Sequence, residues 1–337
     1  MTGLERIQCV LAGEKPDRNA FWIGDVHRDA QAFYYKYFDV KNEVELAKKT
    51  GSDLVWRHAD KGAWRPPNGD LLFGEIINST RDRSYAWLAE CEDAAEVEKT
   101  AMPDLDYFDF TELEALADTT HKENKAFVSG MWAPFFHIVA DSFGMENYFI
   151  KMHECPEVVH ALTDKVVAFY MAANERCFEK MHKKIDAYFF GNDVGTQRGP
   201  IISPDFFRIF LLPGIRKIVD QAKSYGLPVM MHSCGSIECL IPDLISAGID
   251  VIHPIQAKAE GMEATLLRHK YPDQIFMGGV DAQDLLTFGT PEQVAEEVQR
   301  LCRLFGPKLI ISPSHEKIMD NMPPENIVAM AHSVGAI

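Results

Sequence analysis

Eight short apolar runs, each followed by a longer polar or amphipathic stretch, are the strongest constraint on how this 337-residue chain can fold. They are Ala20–Ile23, Leu54–Trp56, Ala126–Ser129, Ala187–Phe190, Val229–Met231, Val251–Ile252, Ile275–Met277 and Leu309–Ile311. Each is apolar on both faces, as a parallel strand must be when helices cover one side and a core the other. Helix signals lie between them. Ser203-Pro204 gives an N-cap and a first-turn proline, and Gly226 lies beyond the end. Thr290-Pro291-Glu292-Gln293 fits a capping box, with Val294, Val298 and Leu301 as the buried stripe. Pro156 opens a long helix to about Met181, and Ser236 a short one ending near Gly248. This alternation predicts a (β/α)8 TIM barrel, one domain over residues 1–337. An open doubly wound sheet is the alternative, but no Gly-x-Gly-x-x-Gly turn supports it. Residues 62–89 break the rhythm. Pro66-Pro67-Asn68-Gly69, then Leu71, Phe73 and Ile76 in alternation, predict an inserted β-hairpin.

A formal charge of −16 argues against a nucleic-acid partner, because a phosphate backbone wants a basic face. Seven cysteines stand singly and suggest no disulfide framework, so a reducing cytoplasm is the expected compartment. Met1–Val10 has no secretory pattern, and no apolar run is long enough for a membrane. Assembly as a homodimer is compatible with the sequence.

In such a barrel the chemistry belongs at the C-terminal strand ends. Polar and titratable residues follow the apolar runs there. His232 and Cys234, one residue apart, are candidate ligands for a soft divalent metal, zinc above all. His315, after the last run, is a candidate third ligand and a candidate catalytic group. Three ligands and one open position is the catalytic zinc arrangement. The alternatives are that His232 and Cys234 merely pack and that His315 faces a substrate without metal. Asp193 is a candidate acid/base, or else an N-cap or loop brace. Candidate substrate contacts are Trp22, Asp25, Trp132, Asn192, Gln197 and Gln256. The tryptophans also read as core. His253 either fixes a metal ligand's tautomer or is a satisfied core histidine. Asp281, after Gly278-Gly279, is a further strand-end carboxylate.

Several segments resemble the uroporphyrinogen decarboxylase superfamily, together covering nearly the whole chain. They are Arg6-Ile7 with Leu11 to Arg18, Gly191 to Gln197 with Ile202-Ser203-Pro204, Ile241-Pro242-Asp243-Leu244, Gly248-Ile249-Asp250 and Pro323-Pro324-Glu325-Asn326. The resemblance implies a (β/α)8 barrel and one of two activities. One is cofactor-free decarboxylation of a porphyrinogen. The other is zinc-dependent methyl transfer between a corrinoid protein and a thiol. The decarboxylases carry an arginine-rich opening for substrate carboxylates. The matching segment here, Phe21 to Arg28, keeps only Arg28 and contains Asp25. The methyltransferase branch carries His-x-Cys and a later Cys as zinc ligands. His232 and Cys234 match the pair, and His315 falls at or beside the later position. The resemblance therefore implies a zinc-dependent methyltransferase, with Zn2+ on the chain, corrinoid supplied by a separate protein, and a small methyl donor or acceptor. The alternative is a carboxy-lyase acting on a porphyrinogen or smaller acid.

Overall fold

A computed structural model describes residues 1–73 and 86–337. The described residues hold nine strands: β1 (Asp25–Val26), β2 (Leu54–Trp56), β3 (Ala126–Ser129), β4 (Ala187–Gly191), β5 (Val229–His232), β6 (Val251–Ile255), β7 (Ile275–Val280), β8 (Leu309–Pro313) and β9 (Lys317–Ile318). Strands β2 to β8 form one parallel sheet in sequence order, with a helix or helices in each connection. Residues 20–23 close it. Trp22 N–H donates to Ile311 O (2.9 Å) and Ile311 N–H to Ala20 O (2.8 Å), while Asp53 N–H donates to Phe21 O (2.7 Å). This segment thus joins β8 to β2 as the eighth stave, and the predicted TIM barrel is what forms. Beside its mouth β1 and β9 pair as a separate parallel ribbon.

Alternation along each strand separates two cores. Trp22, Leu54, Trp56, Ala126, Val128, Ala187, Phe189, Met230, Val251, Ile275, Met277 and Ile310 fill the barrel interior. Their neighbours Phe127, Tyr188, Phe190, Met231, Ile252, Phe276 and Ile311 face the helices. The helix Gly3–Leu11 sends Ile7 and Val10 against the interior set and plugs the N-terminal end. Below it, Asp53 accepts from Arg6 Nη1 (2.5 Å), Arg18 Nη1 (2.8 Å) and Phe21 N–H (2.8 Å), while Arg6 Nε also binds Asp17 (2.7 Å).

The helix signals hold where a cap decides them. The capping box at Thr290 starts Pro291–Phe305, and Pro156–Met181 is one helix. Ser203 caps Pro204–Phe206, but the chain then passes through a π turn, Phe207–Leu211, before Leu212–Ser224. Pro213 has no N–H to give the preceding turn, and a wider turn accommodates it. Ser236 does not start its helix. Its N–H is engaged by Thr196 O, and the helical turns begin at Glu238. The predicted hairpin is not found in the described parts of 62–89, which hold no strand; Trp64 makes a single antiparallel bridge to Phe108, and Ile76 lies outside the described residues. Among the described residues no helix is long and apolar enough to cross a membrane.

Candidate active site

The alternation that fills the interior also decides what stands at its C-terminal mouth. One step beyond Met230 and Val251, the next inward positions are His232 and His253, partners in the β5–β6 register. Both are fully buried. Their Nδ1 atoms lie 2.8 Å apart, so one ring donates and the other accepts. Burial, reinforced by the neighbouring His232, pushes His253 well below the ordinary histidine range. Neutral His253 can therefore accept at Nδ1, which keeps the proton on His232 Nδ1 and frees His232 Nε2.

His232 Nε2 faces a cluster. Cys234 Sγ is 3.3 Å away, Asp193 Oδ1 3.1 Å and Glu316 Oε2 3.5 Å. Two loops fix the cysteine. Asp193 Oδ1 accepts Cys234 N–H (2.8 Å), and Gln256 Oε1 accepts Gly235 N–H (2.5 Å). Gly195 and Gly235 let the β4 and β5 loops touch: a Cβ on Gly195 would run into Cys234 O, and Gly235 adopts φ +90°. From the β8–β9 turn come His315 and Glu316. Glu316 is mostly buried and His315 half-exposed.

The charges here are mutually dependent. Burial would keep His232 neutral, but the Cys234 thiolate and the Glu316 and Asp193 carboxylates outweigh it and raise its pKa well above the usual value. Burial would likewise raise the Cys234 thiol and the Asp193 carboxyl. His232 overcomes it in both cases, and both groups fall below their ordinary values. His315 is raised despite its burial by the hydrogen bond with Cys234 and by Glu316. Three acidic side chains, Asp193, Cys234 and Glu316, thus meet two histidines, His232 and His315, at this mouth.

The donor atoms of Asp193, His232 and Cys234 lie within 4.8 Å of one another, as do those of Cys234, His315 and Glu316. Nitrogen, thiolate and carboxylate donors converging in this way suit a borderline divalent cation such as zinc. The residues present therefore fit the metal.

Of the candidates, Asp193, His232, Cys234 and His315 come together, and Trp132 packs its ring 5.4 Å from that of His232. Gly191 makes room for that indole, since a Cβ there would strike it. Trp22 is buried beneath, 5.6 Å from the His253 ring. Gln256 braces the Cys234 turn from behind. Asn192 and Asp25 have their side chains engaged elsewhere, and Gln197 lies at the surface. Asn192 is fully buried, accepting from Phe136 N–H (2.9 Å) and donating to Ala133 O (3.1 Å). Asp25 pairs with Lys317 across β1 and β9. Gln197 is exposed, and its carbonyl receives Glu260 N–H (2.9 Å). Asp281 caps the following turn, accepting from Gln283, Asp284 and Leu285.

Sequence reading missed Glu316, the immediate neighbour of His315. It also missed a second group at the mouth. His58 stacks on Trp56 at 5.5 Å, and Asp60 Oδ1 accepts Trp132 N–H (2.6 Å). Trp56 Nε1, His58 Nδ1 and Asp60 Oδ2 are buried without hydrogen-bond partners, as are His253 Nε2 and Glu316 Oε2. His58 directly follows the β2 run and Asp60 comes two residues later, which is the signal that could have found them.

The family model for uroporphyrinogen decarboxylase (URO-D) matches residues 89–337. The chain belongs to the uroporphyrinogen decarboxylase family. Similar curated members include the methylated-thiol–coenzyme M methyltransferase of Methanosarcina mazei, 27% identical over 176 residues. The methylcobamide:CoM methyltransferase MtbA of Methanosarcina acetivorans is 25% identical over 191 residues. These matches cover 52% and 56% of this chain and 44% and 53% of the relatives, so the chain spans about half the length of the curated relatives it matches. A solved methyltransferase from Methanosarcina mazei superposes with TM-score 0.69 at 17% identity, over 99% of this chain and 98% of that one, and shows the same fold. Where the family's decarboxylases resemble one another in an arginine-rich opening, this member has Asp25 paired with Lys317 and Arg28 at the surface.

Proposed function

We propose that this chain is a zinc-dependent methyltransferase that works with a separate corrinoid protein. The carrying observation is the convergence of His232 Nε2 and Cys234 Sγ, 3.3 Å apart, with carboxylates at the barrel mouth. The named relatives, both methyltransferases, support the reaction class. The metal would be held by His232, Cys234 and a third donor from the β8–β9 turn. When bound it would supply Lewis acidity, holding a thiol as thiolate or polarising the heteroatom of a methyl donor.

The chain's own residues prepare that site. His253 keeps His232 in the tautomer that presents Nε2. Asp193 orients the Cys234 backbone and lies on the open side, where it can take or return a proton. Trp132 and Trp56 wall the mouth, with Trp56 and Trp132 rings 5.2 Å apart, and exclude water on that flank. The corrinoid would approach from the mouth on its own protein. A porphyrinogen is a poor match for this surface, because a polycarboxylate would meet Asp193 and Glu316.

The test is methyl transfer between free methylcobalamin and a thiol by the zinc-loaded chain. Turnover that stops on chelation and returns with zinc is the expected result. Rapid conversion of uroporphyrinogen to coproporphyrinogen, indifferent to chelator, would replace this reading with the carboxy-lyase.

A further inference from the structure

The β8–β9 turn offers two side chains to the metal, and the structure separates them. We infer that Glu316, not His315, is the third protein ligand, making the donor set one imidazole, one thiolate and one carboxylate; this rests on the metal-site reading above.

Four observations carry the inference. First, His315 Nδ1 accepts Lys317 N–H at 3.1 Å. The nitrogen that receives this bond carries no proton of its own. It cannot then donate to Glu316 Oε2, which lies 3.1 Å away. Glu316 Oε2 is then left without a donor from this neighbour. Second, Glu316 Oε2 is buried and has no hydrogen-bond donor. Burying a carboxylate oxygen without a partner is costly, and a bound cation removes that cost. Third, Glu316 Oε2 lies 3.5 Å from His232 Nε2, with Cys234 Sγ within 4.8 Å, so it shares the space between the two proposed donors. His315 approaches only from the Cys234 side, its ring centroid 6.2 Å from that of His232. Fourth, Glu316 is 14% exposed and His315 45%. A ligand must be held in place before the metal arrives, and Glu316 is the more tightly held of the two.

Asp193 does not compete for this role. Its Oδ1 is engaged by both Cys234 N–H and His232, and its side chain is 44% exposed. Toward the metal it acts by positioning Cys234, whose N–H it accepts. Lys317 completes the arrangement by fixing the turn from both ends: its N–H holds His315, and its ammonium pairs with Asp25. Glu316 is thereby directed inward while His315 stays at the rim.

The experiment measures zinc affinity by competition with a chromophoric chelator on the full chain, native and as Glu316→Gln, Glu316→Ala and His315→Ala. Thermal melting of each metal-free variant checks that it is folded. The absorption of the cobalt(II)-loaded forms reports the donor set. Expected are a fall in affinity of about 100-fold or more for both Glu316 variants and less than about tenfold for His315→Ala. The cobalt d–d bands should change in the Glu316 variants, while the sulfur-to-cobalt charge-transfer band from Cys234 persists. The reverse pattern, with His315→Ala losing the metal and both Glu316 variants keeping it, overturns the inference and leaves the metal site standing. A native chain that binds neither zinc nor cobalt overturns the metal site itself. If a Glu316 variant fails to fold, the cobalt spectrum of His315→Ala decides: bands unchanged from native support Glu316, and altered bands contradict it.

Discussion

The two ends of this barrel each bury a cluster of charges, and they are built on opposite terms. At the N-terminal end Arg6 and Arg18 meet Asp17 and Asp53, two cations against two anions, with Asp53 also receiving Phe21 N–H. At the C-terminal mouth His232 and His315 stand among Asp193, Glu316 and Cys234, and several buried polar atoms have no partner. The first cluster is complete without any ligand, and it joins the N-terminal helix to the closing stave and β2. On the proposed metal-site reading, the second is completed by a bound cation. Structural ion pairs satisfy themselves, whereas a site keeps unsatisfied groups for what it binds.

The sharpest way to break this contrast is to disable the first end. Asp53→Ala should cost about 3–5 kcal/mol in denaturant unfolding, since it leaves Arg18 without its carboxylate and Arg6 with Asp17 alone. Zinc uptake by the folded fraction should be unchanged. A loss of metal affinity in folded protein would mean the two ends are coupled.

Cys234→Ser should do the reverse. Zinc affinity should fall about 100-fold or more, because an alcohol is not ionised at neutral pH as a metal-bound thiol is. The metal-free thermal midpoint should move by no more than a few degrees, as the change relieves negative charge at the mouth. A large drop in the midpoint would assign Cys234 to packing.

Much of this was legible in the residues, and what was not has a physical reason. Strands β2 and β3 match their apolar runs end to end, because a stave buried on both faces has no polar residue to blur its limits. His232 and Cys234 could be singled out because metal-binding residue types recurred at a strand end. Glu316 could not be separated from His315, because which of two adjacent side chains points inward depends on the β1–β9 ribbon. That ribbon pairs residues 25 and 317, distant in sequence. Asn192 sat in the expected place, but its amide supports residues 133–136 instead of a substrate. The hairpin expectation falls largely on residues 74–85, which lie outside the described residues. Before them, Trp64 bridges to Phe108.

A milder change sharpens the account of the mouth. His253→Asn removes the partner of His232 Nδ1 without removing a ligand, so zinc affinity should fall about 10-fold, less than for Cys234→Ser. An effect equal to that of Cys234→Ser would make His253 part of the metal shell.

The smallest expected effect returns to the N-terminal end. His121 Nε2 lies 2.8 Å from Asp186, whose hydrogen bond raises the histidine's pKa against the opposing effect of burial. Its contribution to stability is complete below the unfolded value of about 6.5 and disappears as pH rises through the higher folded value. His121→Asn should therefore flatten stability against pH in that window, by less than about 1 kcal/mol. A native profile without that slope would contradict the pairing.

The claim that the mouth is a metal site is tested most directly by calorimetric titration of zinc into the metal-stripped chain near neutral pH, in buffers of different ionisation enthalpy. The account predicts saturation at about one zinc per chain, with net proton release as the metal displaces a proton from His232. No saturable binding, or binding that persists unchanged with both His232 and Cys234 replaced, would contradict it.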